Sequence, residues 1–287
     1  MLTNTKKMLL NAKSNHYAVA QFNINNLEWT KAILEVAEEK KSPVILGVSE
    51  GAAKYMGGFD AVVGMVKGLD KSLKISVPVA IHLDHGQSVE SAKAAMEAGF
   101  TSVMYDGSEH SIEENIQNTK IVVEYAKKFD VSVEAEVGTV GGEEDGVVGG
   151  VRYASLEECV RMAKEAKVDS LAASLGSVHG HYQGQPNLGF SEMKQYSEAT
   201  NLPLVLHGGS GIPNDMIKKA IKNGESKINV NTEIQEAFTK GVREYIESGK
   251  DKIGTGYDPR KVLATPYQNM KKVILDKIEL FDSKNRA

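Results

Sequence analysis

Two histidines and an aspartate close the apolar run VAIHLDHG at residues 79–86. Titratable groups at the end of a buried strand cost free energy unless they bind something or do chemistry. The chain has seven histidines, and all but His16 fall in a few short stretches: HLDH (His82, His85), SEH (His110), VHGHY (His179, His181) and LHGG (His207). Other apolar runs end in carboxylates, amides or hydroxyls: Asn23, followed by Asn25 and Asn26; Ser49 and Glu50; Asp106; Glu134 and Glu136; Asn229, Asn231 and Thr232. Imidazoles offered by three separate strand ends suit an open divalent-metal site, which takes three protein ligands and leaves a position for substrate. Strand alternation places His82 and Asp84 on one face and His85 on the other. That rule fails where a strand curls into its loop, so spacing alone does not choose between the two histidines.

Glycines give a second signal. HGGSGIP puts a flexible turn and the Ser210 hydroxyl just before PNDMIKKAIKNG, which reads as a helix. Free backbone N–H groups at such a turn can cradle a phosphate, and NVNT adds amide and hydroxyl donors on the next strand. The segment GTVGGEEDGVVGG, 138–150, carries Glu143, Glu144 and Asp145. It reads either as a solvated hairpin or as a mobile lid that brings a carboxylate base over the site.

These groups need a scaffold that brings strand ends together. Apolar or β-branched runs recur at 17–23, 43–48, 77–84, 100–106, 131–138, 170–176, 202–209 and 227–232. Between them, stretches such as LEWTKAILEVAEEKK and IEENIQNTKIVVEYAKKF carry apolar residues at helical spacing. Eight such units imply an α/β fold, a single (β/α)8 TIM barrel over residues 1–287, with TPYQNMKKVILDKIELF (265–281) as an extra C-terminal helix. An open doubly wound sheet is the alternative, but no G-x-G-x-x-G fingerprint supports it.

Bulk properties narrow the partners. A net charge of -4 argues against nucleic-acid binding by bulk charge. No window approaches the roughly 18 apolar residues that span a membrane, and the opening stretch has no signal-like apolar core. The single cysteine, Cys159, cannot form an internal disulfide and reads as a small apolar residue on a helix face. A cytoplasmic protein is the expectation.

The motifs YAVAQFNINNLEWT, HLDHG, VSVEAEVGTVGGEEDG, LGSVHG, LVLHGGSGIP, KINVNTE and YDPRK run essentially end to end. Together they closely resemble the class II, metal-dependent fructose-1,6-bisphosphate aldolases of bacteria, in the branch with the shorter chain. The resemblance implies that His85, His179 and His207 bind Zn2+ and that Asp84 is the catalytic acid/base. It leaves His82 as a packed core histidine and makes Glu144, more than Glu143, the lid residue that abstracts a proton. Asp106 and Glu136 match positions that hold a second divalent cation in some relatives, and a monovalent cation is a further expectation. Gly180, Gly208, Gly209, Ser210, Asn229, Val230, Asn231 and Thr232 correspond to the dihydroxyacetone phosphate site, and Asn23 joins the substrate-binding set. Ser49 matches a contact to the aldehyde half, and Arg260 a residue that grips the distal phosphate, in some relatives from a neighbouring subunit.

The implied reaction is reversible cleavage of fructose 1,6-bisphosphate through a zinc-stabilised enediolate, by a homodimer or homotetramer with no nucleic-acid or membrane partner. Two departures bear on substrate: Gln183 stands where many relatives have lysine, and Glu109 where histidine is common. The alternatives are an aldolase for 6-phospho-5-dehydro-2-deoxygluconate or for tagatose 1,6-bisphosphate. A Schiff-base aldolase would need a lysine at a strand's C-terminal end, and Lys227 opens its strand instead. A metal-dependent hydrolase lacks its early H-x-H pair, and a non-catalytic barrel would not need Asp84 beside the histidine set.

Overall fold

The computed structural model describes residues 2–144 and 147–287, with the side chains of 143–149 outside that description. After α1 (Lys6–Asn15), strands and helices alternate: β1 (Val19–Asn23), α2 (Leu27–Lys40), β2 (Val44–Val48), α3 (Glu50–Met56) and α4 (Phe59–Ser72). There follow β3 (Val79–Gly86), α5 (Val89–Ala98), β4 (Ser102–Tyr105), α6 (Ile112–Ala126) and β5 (Ser132–Val137). Two short strands, β6 (Gly141–Glu144) and β7 (Val147–Gly149), precede α7 (Leu156–Arg161), which runs into a π-helical turn at Met162–Ala166. The last third holds β8 (Ser170–Ala173), β9 (Val178–His179), α8 (Phe190–Thr200), β10 (Leu204–Leu206), α9 (Asn214–Lys222) and β11 (Glu225–Val230). It ends with α10 (Thr232–Glu247), α11 (Pro259–Val262) and α12 (Ala264–Leu280).

Eight parallel strands close in the order β1-β11-β10-β8-β5-β4-β3-β2, so the expected (β/α)8 barrel forms and the open sheet does not. Each of the eight apolar runs supplies one barrel strand, and α12 covers the expected C-terminal helix. Helix starts follow from local chemistry. Asn26, Ser49, Ser88, Ser111 and Ser155 each accept the N–H three residues on, and an acidic residue occupies the first turn in every case.

Alternation sorts each strand. Ala18, Ala20 and Phe22 belong to the apolar layer between sheet and helices, while Val19 joins Ile45 and Ala80 against Met8, Leu9 and Ala12 of α1. That helix plugs the N-terminal end of the barrel. The inward positions further up are polar: Gln21, His82, Glu134 and Lys227 are all buried, and Asn23, Asp84, Glu136 and Asn229 stand two residues nearer the C-terminal mouth. Cys159 lies on α7, as the helical pattern implies, and is fully buried, which pushes its thiol up to about 12. Among the described residues no helix is long and apolar enough to cross a membrane.

Of the two expectations for the glycine-rich segment, the described residues on either side of 145–146 show the hairpin. β6 and β7 form an antiparallel hairpin, and β6 also pairs in parallel with β9, giving a second, three-stranded sheet above the barrel. Gly142, at φ 97°, pairs with His179 so closely that a Cβ would overlap its carbonyl, so the glycines of this segment serve strand approach.

Candidate active site

One backbone angle separates the two histidines of HLDH. His85 has φ 50°, in the left-handed region, and the β3–β4 register shifts between Leu83 and Gly86. The kink breaks strand alternation and carries the His85 ring to the barrel mouth. There it lies 4.5 Å from the His207 ring and 5.0 Å from His179, centroid to centroid. One potential ligand atom from each of the three lies within 4.8 Å of the others. His82, in regular strand, stays below. It is fully buried, its Nδ1 is 2.7 Å from Ser102 Oγ, and burial with the nearby Lys227 charge lowers it to about 3. It is a neutral core histidine.

The outer partners fix which nitrogens face the centre. His85 Nδ1 donates to Asp106 Oδ2 at 2.7 Å, leaving Nε2 with the lone pair. His207 Nε2 donates to Glu134 Oε1 at 3.1 Å, leaving the lone pair on Nδ1, which accepts from Asn229 Nδ2 at 3.2 Å. Such carboxylate–histidine pairs orient imidazoles for a metal. Burial holds His179 and His207 below the usual imidazole range, hence neutral. At His85 burial pulls downward, but the Asp106 hydrogen bond and the Asp84 charge prevail and raise it well above 6.5. The local field therefore favours positive charge at a point where three imidazoles meet. This donor set fits a divalent cation.

Asp84 stands beside that point, 1% exposed. Asn23 Nδ2 donates to its Oδ2 at 2.9 Å and Asn229 Nδ2 to its Oδ1 at 3.3 Å. Burial opposes ionisation, yet the charge of His85, with that of Lys227, holds its carboxyl well below the usual range. It is thus an ionised base with fixed orientation. His85, Asp106 and Glu136 form a second group with ligand atoms within 4.8 Å. Burial and the adjacent Asp106 push Glu136 well above its ordinary range, and among the described residues its Oε2 has no hydrogen-bond partner. A cation between the two carboxyls would relieve both conditions.

Beneath the histidines lies a buried ion pair that the sequence reading did not assign. Lys227 Nζ donates to both Glu134 oxygens, at 2.9 and 2.8 Å, and Ser170 Oγ adds a third donor at 3.2 Å. Lys227 sits within β11, not at its start, and points into the barrel. The available signal was a lysine inside KINV facing a glutamate inside VEAEV.

The mouth divides into two cavities. The tighter, about 110 Å³, is lined by Asn23, His179, Gly180, Gly208, Gly209, Ser210, Asn229, Asn231, Thr232 and Gln235. Almost every expected phosphate-site residue is here, together with Gln235, one turn into α10. The exception is Val230, whose side chain packs in the apolar core. Gly208 has φ 66°, and a Cβ there would overlap the Val178 carbonyl. Tyr182 clasps the same junction: its hydroxyl donates to the Gly208 carbonyl at 2.9 Å and accepts the Val178 N–H at 3.2 Å.

The wider cavity, about 510 Å³, is lined by Ser49, Glu50, Asp84, His85, Asp106, Glu109, His110, Glu136 and His179 among others, and among the described residues no lysine or arginine is in its lining. Ser49 is there, although its hydroxyl also caps α3. Arg260 lines neither cavity. It is 89% exposed and paired with Asp258 at 2.6 Å. The side chains of Glu143 and Glu144, like residue Asp145, lie outside the described residues.

Comparison with known proteins gives consistent results. The family model described as fructose-bisphosphate aldolase class-II matches residues 3–286. A fructose-bisphosphate aldolase of Geobacillus stearothermophilus is 58% identical over 287 residues, covering 100% of this chain and 99% of the relative. One from Staphylococcus epidermidis is 55% identical with the same coverage. Among solved structures, the YdjI aldolase of Escherichia coli K12 superposes with a TM-score of 0.86 at 33% identity, covering 100% of both chains. Fructose-bisphosphate aldolase of Campylobacter jejuni gives 0.87 at 27% identity, covering 100% of this chain and 97% of that one.

Proposed function

We propose, from the premise that this chain belongs to the class II fructose-bisphosphate aldolase family, that it cleaves fructose 1,6-bisphosphate reversibly to dihydroxyacetone phosphate and glyceraldehyde 3-phosphate. The family is metal-dependent. The observation that carries the reading is the convergence of His85, His179 and His207 beside an ionised, amide-held Asp84 and next to a cradle of backbone and hydroxyl donors.

His85, His179 and His207 are the residues that hold the cation, and zinc suits three imidazoles with an open position. Bound there, it supplies Lewis acidity toward the substrate ketone. Asp84 takes the proton of the C4 hydroxyl in cleavage and returns it in condensation. Asn23 and Asn229 keep its two oxygens aimed while it does so. Glu144, on the hairpin, handles the proton at the ketose-derived carbon. Gly180, Gly208, Gly209, Ser210, Asn231 and Thr232 receive the phosphate of the dihydroxyacetone half, and the Val230 contribution is its main chain. Asp106 and Glu136, with His85, form a second cation position.

The wider cavity takes the aldehyde half, with Ser49 at its wall. Because, among the described residues, its lining has no lysine or arginine, the distal phosphate needs a cation from elsewhere. Arg260 of a second copy supplies it, which makes the working form a homodimer or homotetramer. The location proposed with this reaction is the cytoplasm. A second reading has its own support: Gln183 and Glu109 stand where relatives of this branch carry basic residues, as suits 6-phospho-5-dehydro-2-deoxygluconate.

The test is cleavage of fructose 1,6-bisphosphate by purified protein, before and after EDTA, with zinc added back. Activity lost to chelator and restored by zinc is the expected result. No cleavage by folded, zinc-loaded protein defeats the fructose assignment and favours the deoxygluconate, and activity indifferent to chelator defeats the metal reading.

A further inference from the structure

We propose that Lys277, on the C-terminal helix α12, is a positioning residue for the phosphate cradle and acts through Glu233. The proposal rests on the reading of the tighter cavity as that cradle. The loop 208–211 and the start of α10 are fastened at two neighbouring points. Ser210 Oγ accepts the N–H groups of Asn231 at 3.3 Å and Glu233 at 3.4 Å. In the other direction, Glu233 Oε1 accepts the Gly211 N–H at 2.7 Å.

The second fastening places a carboxylate at the edge of a pocket meant for a dianion. Unbalanced, that charge repels the ligand, and a carboxylate 29% exposed is drawn away toward water. Lys277 answers both problems. Its Nζ lies 2.6 Å from the same Oε1 that holds Gly211, and its side chain is only 8% exposed. Lysines are almost never buried to this degree without a partner. Lys277 does not line the cavity, so it touches no substrate. Its ammonium neutralises Glu233 and pins the carboxylate in the rotamer that closes the loop.

The experiment measures binding of inorganic phosphate and of dihydroxyacetone phosphate to the zinc-loaded full chain by calorimetry, alongside steady-state kinetics and zinc affinity. Lys277→Met is expected to weaken both ligands about tenfold, the scale of one charge-assisted hydrogen bond. KM rises in step, while kcat and zinc affinity stay within about twofold of wild type, a margin of less than half a kcal/mol. Lys277→Arg retains binding. In the double variant Glu233→Gln/Lys277→Met, the amide oxygen still accepts the Gly211 N–H with no unpaired charge left, so ligand binding returns to within about threefold of wild type. That variant has no stranded charge and tests the idea even if Lys277→Met folds poorly.

Wild-type binding in Lys277→Met, a loss confined to kcat, or a double variant as weak as the single each overturns the proposal alone. Failure of the wild-type protein to bind either ligand defeats the cradle reading and the proposal together.

Discussion

Substituting Lys227 with methionine keeps the volume of the side chain and removes its charge from beneath the histidines. Glu134, 1% exposed, then loses the two bonds from Nζ and keeps only those from His207 and Ser170. Stranding one partner of a buried pair costs about 3–5 kcal/mol. The carboxylate can escape by taking a proton, since burial raises it once the lysine no longer opposes it. Protonating a carboxyl of ordinary value 4.5 at pH 7 costs about 3 kcal/mol, so both routes reach the same scale. The loss also reaches the metal ligands. A protonated Glu134 no longer fixes the His207 tautomer, and zinc affinity is expected to fall roughly tenfold to a hundredfold. Urea denaturation in EDTA measures the first effect, and zinc titration against a competing chelator the second. Glu134→Gln/Lys227→Met, which strands no charge, is expected to recover most of the stability. A single-variant loss below about 1 kcal/mol, or a double variant no better than the single, refutes the reasoning.

Asp84→Asn should lower kcat by about 10²–10⁴-fold while zinc binding persists, measured by a coupled cleavage assay and metal analysis. Gly208→Ala meets the Val178 carbonyl at a positive φ and should raise the KM for dihydroxyacetone phosphate in condensation by roughly tenfold or more. Glu225, buried at the start of β11, has its carboxyl raised by burial from 4.5 to about 8, and among the described residues its Oε2 has no hydrogen-bond partner. The folded state thus holds this proton to higher pH than the unfolded chain does. The group's contribution to stability is most favourable below pH 4.5 and declines as pH rises toward 8. Glu225→Gln removes the decline. Urea midpoints should match wild type near pH 4 and show a gain of roughly 2–4 kcal/mol near pH 8.

Much of this molecule was legible because its signals are local. Eight apolar runs with helical patterns between them imply a barrel, and Ser or Asn caps mark where five of the helices begin. The chemistry-bearing residues could be enumerated because a barrel presents strand ends on one face. What stayed hidden depends on single backbone angles or on contacts distant in sequence. No period predicts the left-handed residue that turns His85 inward. Lys227 looked misplaced for catalysis because its partner, Glu134, is 93 residues away. β9 has two residues and β7 three, too short to register as alternation, so the sequence offers a hairpin but no sign that it pairs with β9. Arg260 lies apart from both cavities, exposed and paired with Asp258.

The small sheet joins the hairpin and a proposed metal ligand on one ladder. β6 contains Glu143 and Glu144 in its backbone, and its residues Gly141 and Gly142 pair with Val178 and His179 of β9. Whatever immobilises the His179 ring therefore also steadies the backbone that offers the glutamates. Deuterium uptake at the Gly141 and Gly142 amides then becomes a gauge of how many molecules in a purified batch have their histidines engaged. A preparation could be graded by mass shift before any substrate is added.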